Sequence, residues 1–279
     1  MKATRECYPC LANLVRQAAE LATDDYRLRV EAIDQGLKLL GRKFSTDNTS
    51  IAVATLLHRV VREVTRNADP YSRMKEAEVG LAKSLRRGWH INHDRSLRNR
   101  IILAVRGNNI DFFKDLKQIK EGLRTPVEFA IDDIPKLERK LEKAENILYL
   151  ADNAGEVFFD LPLVEGLEDF ASLTYVVKDA PVQNDITFDD LERFGLAEKL
   201  SRVITTGTDT PGVDMAMASQ EFKAEFEAAD LVLAKGMGYW ETLSELPPQD
   251  KVFYLLKAKC KPVADSLGVA LNSYVALLR

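Results

Sequence analysis

The amino-acid sequence predicts an α/β protein in which an all-helical N-terminal domain, residues 1–125, precedes a doubly wound, mostly parallel sheet domain, residues 126–279. Two patterns predict this fold class. Before Thr125-Pro126 the apolar residues recur every three or four positions, as they do along amphipathic helices. After it, short β-rich apolar runs alternate with helical stretches, which indicates a parallel sheet covered by helices on both faces.

Three runs in the N-terminal domain have the helical spacing: Leu11 to Leu21, Ile51 to Val64 and Leu97 to Val105. Asp69-Pro70 closes one helix and opens the next, because proline suits a first turn and restricts the residue before it. The segment from His90 to Asp94 is a polar break before the third run. These features predict a domain without strands.

Five apolar runs predict the strands of the second domain, and the stretches between them predict helices. The strands are expected at Asn146–Leu150, Leu173–Val177, Arg202–Thr205, Asp230–Ala234 and Val252–Leu256. Helices are expected at Glu156–Leu167 and Phe188–Phe194. In a doubly wound sheet the binding crevice lies where strands end and helices begin. The residues that follow each strand are therefore the candidate site residues.

Composition narrows the class of protein. Of 279 residues, 46% are apolar and 29% charged, which is typical of a folded domain. The net charge of −4, without a long block of either sign, argues against a nucleic-acid partner. The chain has no apolar run of about 18 residues, and charged residues are spread among the short apolar stretches of its first 25 positions. We therefore expect neither a membrane partner nor a secretory signal. Three cysteines are too few for a disulfide framework and favour a cytoplasmic location.

Two adjacent oxygen ligands follow the first strand. Asp152 offers a carboxylate and Asn153 a carbonyl oxygen, and both suit a hard divalent cation. Gly155 lets the backbone turn tightly into the next helix. The same segment also fits an ordinary turn and helix cap.

Polar residues also follow the later strands, and this coincidence favours a functional site over isolated turns. An amide and a second acid follow one strand, a lysine that can meet a phosphate follows another, and small glycines there permit close backbone approach. These residues are Lys178, Asn184, Asp185, Lys235, Gly236 and Gly238.

The same segments resemble the damage-control phosphatase family, and the resemblance spans nearly the whole chain. It is carried in the second domain by Asp152-Asn153-Ala154-Gly155-Glu156, by Lys178 with Asn184-Asp185, by Lys235-Gly236-x-Gly238 with Glu241, and by Lys259-Cys260. In the first domain it is carried by Cys7-Tyr8-Pro9-Cys10, Asp69-Pro70-Tyr71 and Gly107 to Phe112, which resemble the shorter, mainly prokaryotic members.

The resemblance implies a metal-dependent phosphatase that hydrolyses small phosphorylated metabolites. Its divalent metal, Mg²⁺, Mn²⁺, Co²⁺ or Ni²⁺, would be held by Asp152, Asn153 and Asp185. The catalytic residues would be Asp152, Glu156 and Asp185, with Glu156 or Asp185 positioning the attacking water. Direct attack by Asp152 and attack by a metal-activated water both remain open.

Six residues are predicted to bind the substrate: Lys178, Asn184, Lys235, Gly236, Gly238 and Glu241. The family often has Lys-Gly-Gln-Gly-Asn at this loop, whereas this chain has Met237 and Tyr239. The departure bears on substrate choice more than on the metal site. We expect broad activity on small phosphate esters, with sugar phosphates ahead of nucleotides.

Other motifs carry weaker alternatives. Cys7-x-x-Cys10 with His90-x-x-His93 has zinc-ligand residue types, but a packed pair of thiols near a helix start is the simpler interpretation. The segment from Gly107 to Phe112 either caps a helix or reaches the active site. Gly236-x-Gly238 lacks the third glycine of a dinucleotide loop, and neither a nucleophile elbow nor a P-loop sequence is present.

Two other functions remain as alternatives. One is a non-catalytic module that binds a metal and a phosphate ligand, which only a turnover assay separates from a phosphatase. The other is a carboxyl methyltransferase, for which the sequence offers no glycine-rich first loop.

Overall fold

A computed structural model describes residues 1–87, 96–110 and 116–279 of the chain. The helices within these ranges are α1 (Cys7–Ala22), α2 (Tyr26–Lys43), α3 (Ser50–Thr65), α4 (Ser72–Arg87), α5 (Leu97–Arg106), α6 (Leu116–Arg124), α7 (Ile134–Leu141), α8 (Val157–Glu168), α9 (Phe188–Arg193), α10 (Gln220–Ala228), α11 (Met237–Leu243) and α12 (Lys261–Leu267). The strands are β1 (Phe129–Asp132), β2 (Asn146–Leu150), β3 (Ser172–Val177), β4 (Val203–Thr205), β5 (Leu231–Lys235), β6 (Val252–Lys257) and β7 (Tyr274–Leu278).

The N-terminal helices confirm the predicted pattern, because each apolar run lies on one helix, α1, α3 or α5. Side chains fix two helix starts: Asp25 accepts from the backbone amides of Arg27 and Leu28, and Thr49 accepts from that of Ala52. Helices α1, α2 and α3 bury their apolar faces in one shared core. In the described part of the chain, no helix combines the length and apolarity needed to cross a membrane.

The second domain is a seven-stranded sheet in the order β1-β7-β6-β5-β2-β3-β4. Every neighbouring pair is parallel except β6 and β7, which are antiparallel, so the predicted doubly wound, mostly parallel class is confirmed. Side chains alternate between two apolar cores, with Ile147 and Tyr149 on one face of β2 and Leu148 and Leu150 on the other. Burial on both faces explains why the strands are continuous apolar runs.

The five predicted strands are present within one residue at each end, whereas β1 and β7 were missed. Strand β1 lies at the edge of the sheet and alternates between half-buried and exposed residues, so it has no continuous apolar run. The chain runs outward from β2 through β3 to β4 and then returns to β5 on the other side of β2. This reversal makes the β2/β5 boundary the topological switch point, where a ligand crevice is expected.

The helical region packs directly on the sheet domain. Val79 of α4 and Ile101 of α5 belong to the same apolar core as β2. Lys75 of α4 is fully buried and forms ion pairs with Asp69 and Asp190 at 2.6 Å each. Helix α6 ends just before the predicted boundary at residues 125–126, and the division into two domains stays a prediction.

Candidate active site

A cavity of about 540 Å³ lies at the carboxyl ends of the central strands, beneath the N-terminal helices. Both halves of the chain line it. Its polar lining includes Glu78, Asn108, Asp152, Asn153, Asn184, Asp185, Glu241, Lys257 and Lys259. Gly236 and Gly238 contribute backbone to the same lining.

The loops after β2 and β3 are joined by backbone hydrogen bonds. The amide of Ile186 donates to the carbonyl of Asp152 at 3.0 Å, and the amide of Ala154 donates to that of Asn184 at 2.8 Å. An isolated antiparallel bridge pairs Asn153 with Asp185. The structure thereby brings together the three residues that the resemblance assigns to a metal, although they come from two strand ends.

Asp152 and Asp185 are two acids in surroundings that disfavour their negative charge, with Asp152 partly and Asp185 fully buried. Burial, together with the charges of Glu156 and Asp185, raises the pKa of Asp152 well above its usual range. Burial raises the pKa of Asp185 to about 6, and Lys178 opposes this shift. A cation between the two acids would favour their ionised forms.

The donor atoms fit a hard divalent cation, since they are two carboxylates and a carboxamide. Asn153 donates from Nδ2 to Oε1 of Glu156 at 2.8 Å, which fixes the orientation of its amide group. Across residues 1–87, 96–110 and 116–279, no three His, Cys, Asp or Glu side chains are grouped as metal ligands. The candidate set has two residues of those types, and Asn153 is the third ligand.

Glu156 lies behind the metal residues instead of facing the cavity. It is fully buried, and its Oε2 accepts from Asn108 at 2.6 Å and from Lys235 at 2.9 Å. Burial would raise its pKa, but the charges of Lys235 and Lys259 outweigh burial and lower it. Both carboxylate oxygens are therefore engaged, and this geometry suits holding Asn153 better than the predicted positioning of water.

Lys235 does not face the cavity either. Its ammonium is fully buried and donates to Glu156, to Oδ1 of Asp160 at 2.8 Å and to the carbonyl of Ala104 at 3.2 Å. These three acceptors use its three donors. The predicted contact of Lys235 with phosphate finds no support in this arrangement.

Lys178 is buried in a similar way behind Asp185. Its Nζ donates to the hydroxyl of Tyr239 at 3.0 Å and to the carbonyl of Gly212, and it lies 3.5 Å from Oδ2 of Asp185. Burial would lower its pKa, but Tyr239 and Asp185 outweigh burial and raise it. Lys178 therefore remains a cation, and the charged group beside it is Asp185.

The cations that face the cavity within the described residues are Lys257 and Lys259. The charge of Lys259 also lowers the pKa of Asp152, against the stronger effect of burial. Sequence reasoning assigned no role to either lysine. The rule that selected the other candidates points to them as well, because they lie at the carboxyl end of β6.

The N-terminal half supplies two further polar groups. Glu78 of α4 is buried and accepts from Nδ2 of Asn184 at 3.0 and 3.2 Å. Asn108 lines the cavity and donates to Glu156, so of the two interpretations of this segment the position of Asn108 favours the one that places it at the site. Asp111 and Phe112 lie outside the described residues. Glu78 carried no sequence signal, since an acid on a helix is usually a surface residue.

Gly236, Gly238 and Glu241, which the sequence predicts to bind the substrate, all line the cavity. Gly236 has φ +82°, and a Cβ there would lie 2.0 Å from Oδ2 of Asp152. Glu241 is turned toward α3, where it accepts from the hydroxyl of Ser50.

Cys7, Cys10 and Cys260 are free thiols that line the same cavity. His90 and His93, the other residues of the zinc alternative, lie outside the described residues.

The doubly wound sheet, with Asp152 and Asp185 lining the cavity at its switch point, defines an α/β protein with a carboxylate-containing ligand site. Residues 3–275 match the sequence model of the damage-control phosphatase ARMT1-like domain. The chain therefore belongs to this family.

Relatives along the full length agree with this membership. The chain is 34% identical over 288 residues to a damage-control phosphatase of Pyrococcus horikoshii, covering 99% of this chain and 98% of the relative. It is 32% identical over 299 residues to a damage-control phosphatase of Archaeoglobus fulgidus, covering 99% of each. A crystal structure of a family protein from P. horikoshii has a TM-score of 0.90 at 34% identity, covering 100% of this chain and 99% of that one.

Proposed function

We propose that this protein is a metal-dependent phosphomonoester hydrolase that acts on small phosphorylated metabolites. One observation carries the proposal: Asp152, Asn153 and Asp185, the first two partly buried and the third fully buried, converge on a cavity of about 540 Å³. The names of the relatives support phosphatase activity. The cytoplasm is the proposed location, and the three free thiols support it.

Asp152, Asn153 and Asp185 would hold the divalent metal, either Mg²⁺, Mn²⁺, Co²⁺ or Ni²⁺. When bound, such a cation neutralises phosphoryl oxygens and polarises the phosphorus centre. Glu156 and Lys178 stand behind these ligands and hold Asn153 and Asp185 in place.

The remaining groups of the cavity suit a phosphate ester. Lys257, which also donates to Oδ1 of Asn109 at 3.1 Å, and Lys259 add positive charge to the cavity lining, which suits a doubly negative phosphoryl group. Of the two acids predicted to position the attacking water, Asp185 lines the cavity and Glu156 does not, so we assign this role to Asp185. Direct attack by Asp152 is the alternative mechanism. The preference for sugar phosphates stays a prediction.

A chelation experiment tests the proposal. After EDTA treatment and dialysis, the protein is assayed for inorganic phosphate with a panel of monoesters and with Mg²⁺, Mn²⁺, Co²⁺ and Ni²⁺ added singly. We expect no release without metal and restored release with at least one ion. Release that is insensitive to EDTA would refute metal dependence. Binding of metal and phosphate without turnover would instead indicate a non-catalytic binding module.

Gly236→Ala is expected to lower kcat/KM about a hundredfold, because its Cβ would lie 2.0 Å from Oδ2 of Asp152 and push that carboxylate aside. Gly268→Ala is the matched control. Gly268 has a similar positive φ of +68° but nothing within 4 Å of its Cβ position. Both variants therefore carry backbone strain, and only Gly236→Ala disturbs the site. Equal kcat/KM values for the two variants would contradict the assigned role of Asp152.

A further inference from the structure

We propose that Gln183 is a specificity-determining residue, whose side-chain amide binds a hydroxyl group on the alcohol part of the phosphate ester. The proposal rests on the proposed hydrolase function and adds a hydroxyl-binding group to the same site. Gln183 lines the cavity and precedes Asn184 and Asp185, which line it as well.

Gln183 adopts a backbone conformation that glutamine rarely takes. The amide of Asp185 donates to the carbonyl of Val182 at 3.2 Å, which closes a turn with Gln183 as its first central residue. Gln183 has φ +48°, and Gly, Asn and Asp dominate turns with a positive φ at this position. Of the four non-glycine residues with positive φ in the described ranges, Gln183 is the one that lines the cavity. A strained residue at a site indicates a side chain that is retained for function.

The side chain of Gln183 is available for a ligand. Among the residues that the structure describes, its amide has no hydrogen-bond partner, and the side chain is partly buried. The neighbouring side chains are engaged within the protein, because Asn184 donates to Glu78 and Asp185 lies 3.5 Å from the ammonium of Lys178. An amide has both donors and an acceptor, so it matches a hydroxyl group, which also donates and accepts.

The turn keeps Gln183 close to the residues proposed to hold the metal. Nη1 of Arg62 donates to the carbonyl of Pro181 at 2.6 Å, which ties the start of the loop to α3. The backbone hydrogen bonds to the loop after β2 hold its other end. The first and last Cα atoms of such a turn are less than about 7 Å apart. A phosphoryl group beside Asp185 therefore places the first carbons of its alcohol within reach of the Gln183 amide.

The helical side of the cavity adds further hydrogen-bonding groups, Glu6 and Gln17. The hydroxyl of Tyr71 donates to Oε1 of Gln17 at 3.3 Å, which leaves the amide nitrogen of Gln17 as a donor. A hydroxylated substituent that extends past Gln183 therefore exchanges water for protein partners along the cavity.

Matched esters test the hydroxyl contact. Glycerol 3-phosphate and n-propyl phosphate share a carbon chain and differ only in hydroxyl groups, so the ratio of their kcat/KM values isolates those groups. We expect the wild-type protein to favour glycerol 3-phosphate about tenfold, which corresponds to one neutral hydrogen bond. Gln183→Met keeps the length of the side chain but removes the amide, and it should lower this ratio to about twofold or less.

Two glycine variants separate the amide from the turn. Gln183→Gly should lose the preference as Gln183→Met does, with a melting temperature close to that of the wild type, because relief of strain offsets the larger freedom of glycine in the unfolded chain. Arg66→Gly is the matched control, since Arg66 has φ +53° at the end of α3, is exposed and lies outside the cavity. It should keep the tenfold preference, to within about twofold.

Binding of phosphonates keeps the inference separate from turnover. Calorimetry with Mn²⁺ compares 3,4-dihydroxybutylphosphonate with n-butylphosphonate, neither of which has an ester bond to hydrolyse. Tighter binding of the dihydroxy ligand that is lost in Gln183→Met, without phosphate release from any ester, would support the hydroxyl contact and refute the hydrolase function. Phosphate release without a hydroxyl preference, or a preference that survives in Gln183→Met, would overturn the inference and leave the hydrolase function standing.

Discussion

Replacing Asp152 by asparagine is expected to lower kcat/KM for phosphate release by about a thousandfold, because it removes the charged ligand at the centre of the site. Asn keeps the size of the side chain but loses the negative charge. The loss should appear as weaker activation by added metal, measured by titrating Mn²⁺ in the phosphate-release assay.

Two readouts separate this effect from damage to the fold. In EDTA the melting temperature of Asp152→Asn should rise, since burial and the nearby Glu156 and Asp185 disfavour the charge that the substitution removes. Asp179→Asn is the control, because Asp179 also follows a strand but is exposed and outside the cavity. Metal-dependent turnover that survives in Asp152→Asn would refute the assignment.

Lys235→Met is expected to destabilise the protein by about 3–5 kcal/mol, the cost of removing one partner from a buried ion pair. Lys235 lies between Glu156 and Asp160, which are also buried. Without the ammonium the two buried carboxylates would lose the cation that both of them contact. Urea unfolding followed by circular dichroism measures this change.

Lys251→Met is the control, because Lys251 donates to the carbonyls of Phe226 and Glu227 near the surface. We expect it to cost less than about 1 kcal/mol. Loss of turnover in Lys235→Met with unchanged stability would instead favour the contact with phosphate predicted from the sequence.

The fate of Lys235 shows where prediction from the sequence ends. The strands were predictable, because burial on both faces leaves continuous apolar runs, and the strand-end rule then selected Asp152, Asn153 and Asp185. The direction of Lys235 was also encoded, since it shares a face of β5 with Leu231 and Leu233, and that face belongs to the core with β2 and α8. A lysine on that face points into the core below the cavity, where Lys235 meets Glu156 and Asp160.

Glu78 shows a different reason for failure. Its contact with Asn184 joins residues 106 positions apart, and it depends on how α4 is placed over the sheet. Hydrophobic periodicity predicts that α4 exists and which face it buries, but it contains no information on which loop that face meets. The edge strand β1 was missed for another reason: half-buried and exposed residues alternate along it, so it lacks the continuous apolar run that marks the central strands.

The shared lining of the cavity also has a consequence for how specificity and hydrolysis are divided between the two halves of the chain. The groups proposed to hold metal and phosphoryl oxygens lie at the strand ends of the sheet domain and in the loops that follow, whereas Leu14 of α1, Ala54 of α3 and Met74 of α4 line the same cavity. Substitutions on those helices can therefore alter which alcohol is accepted while the hydrolytic groups stay intact.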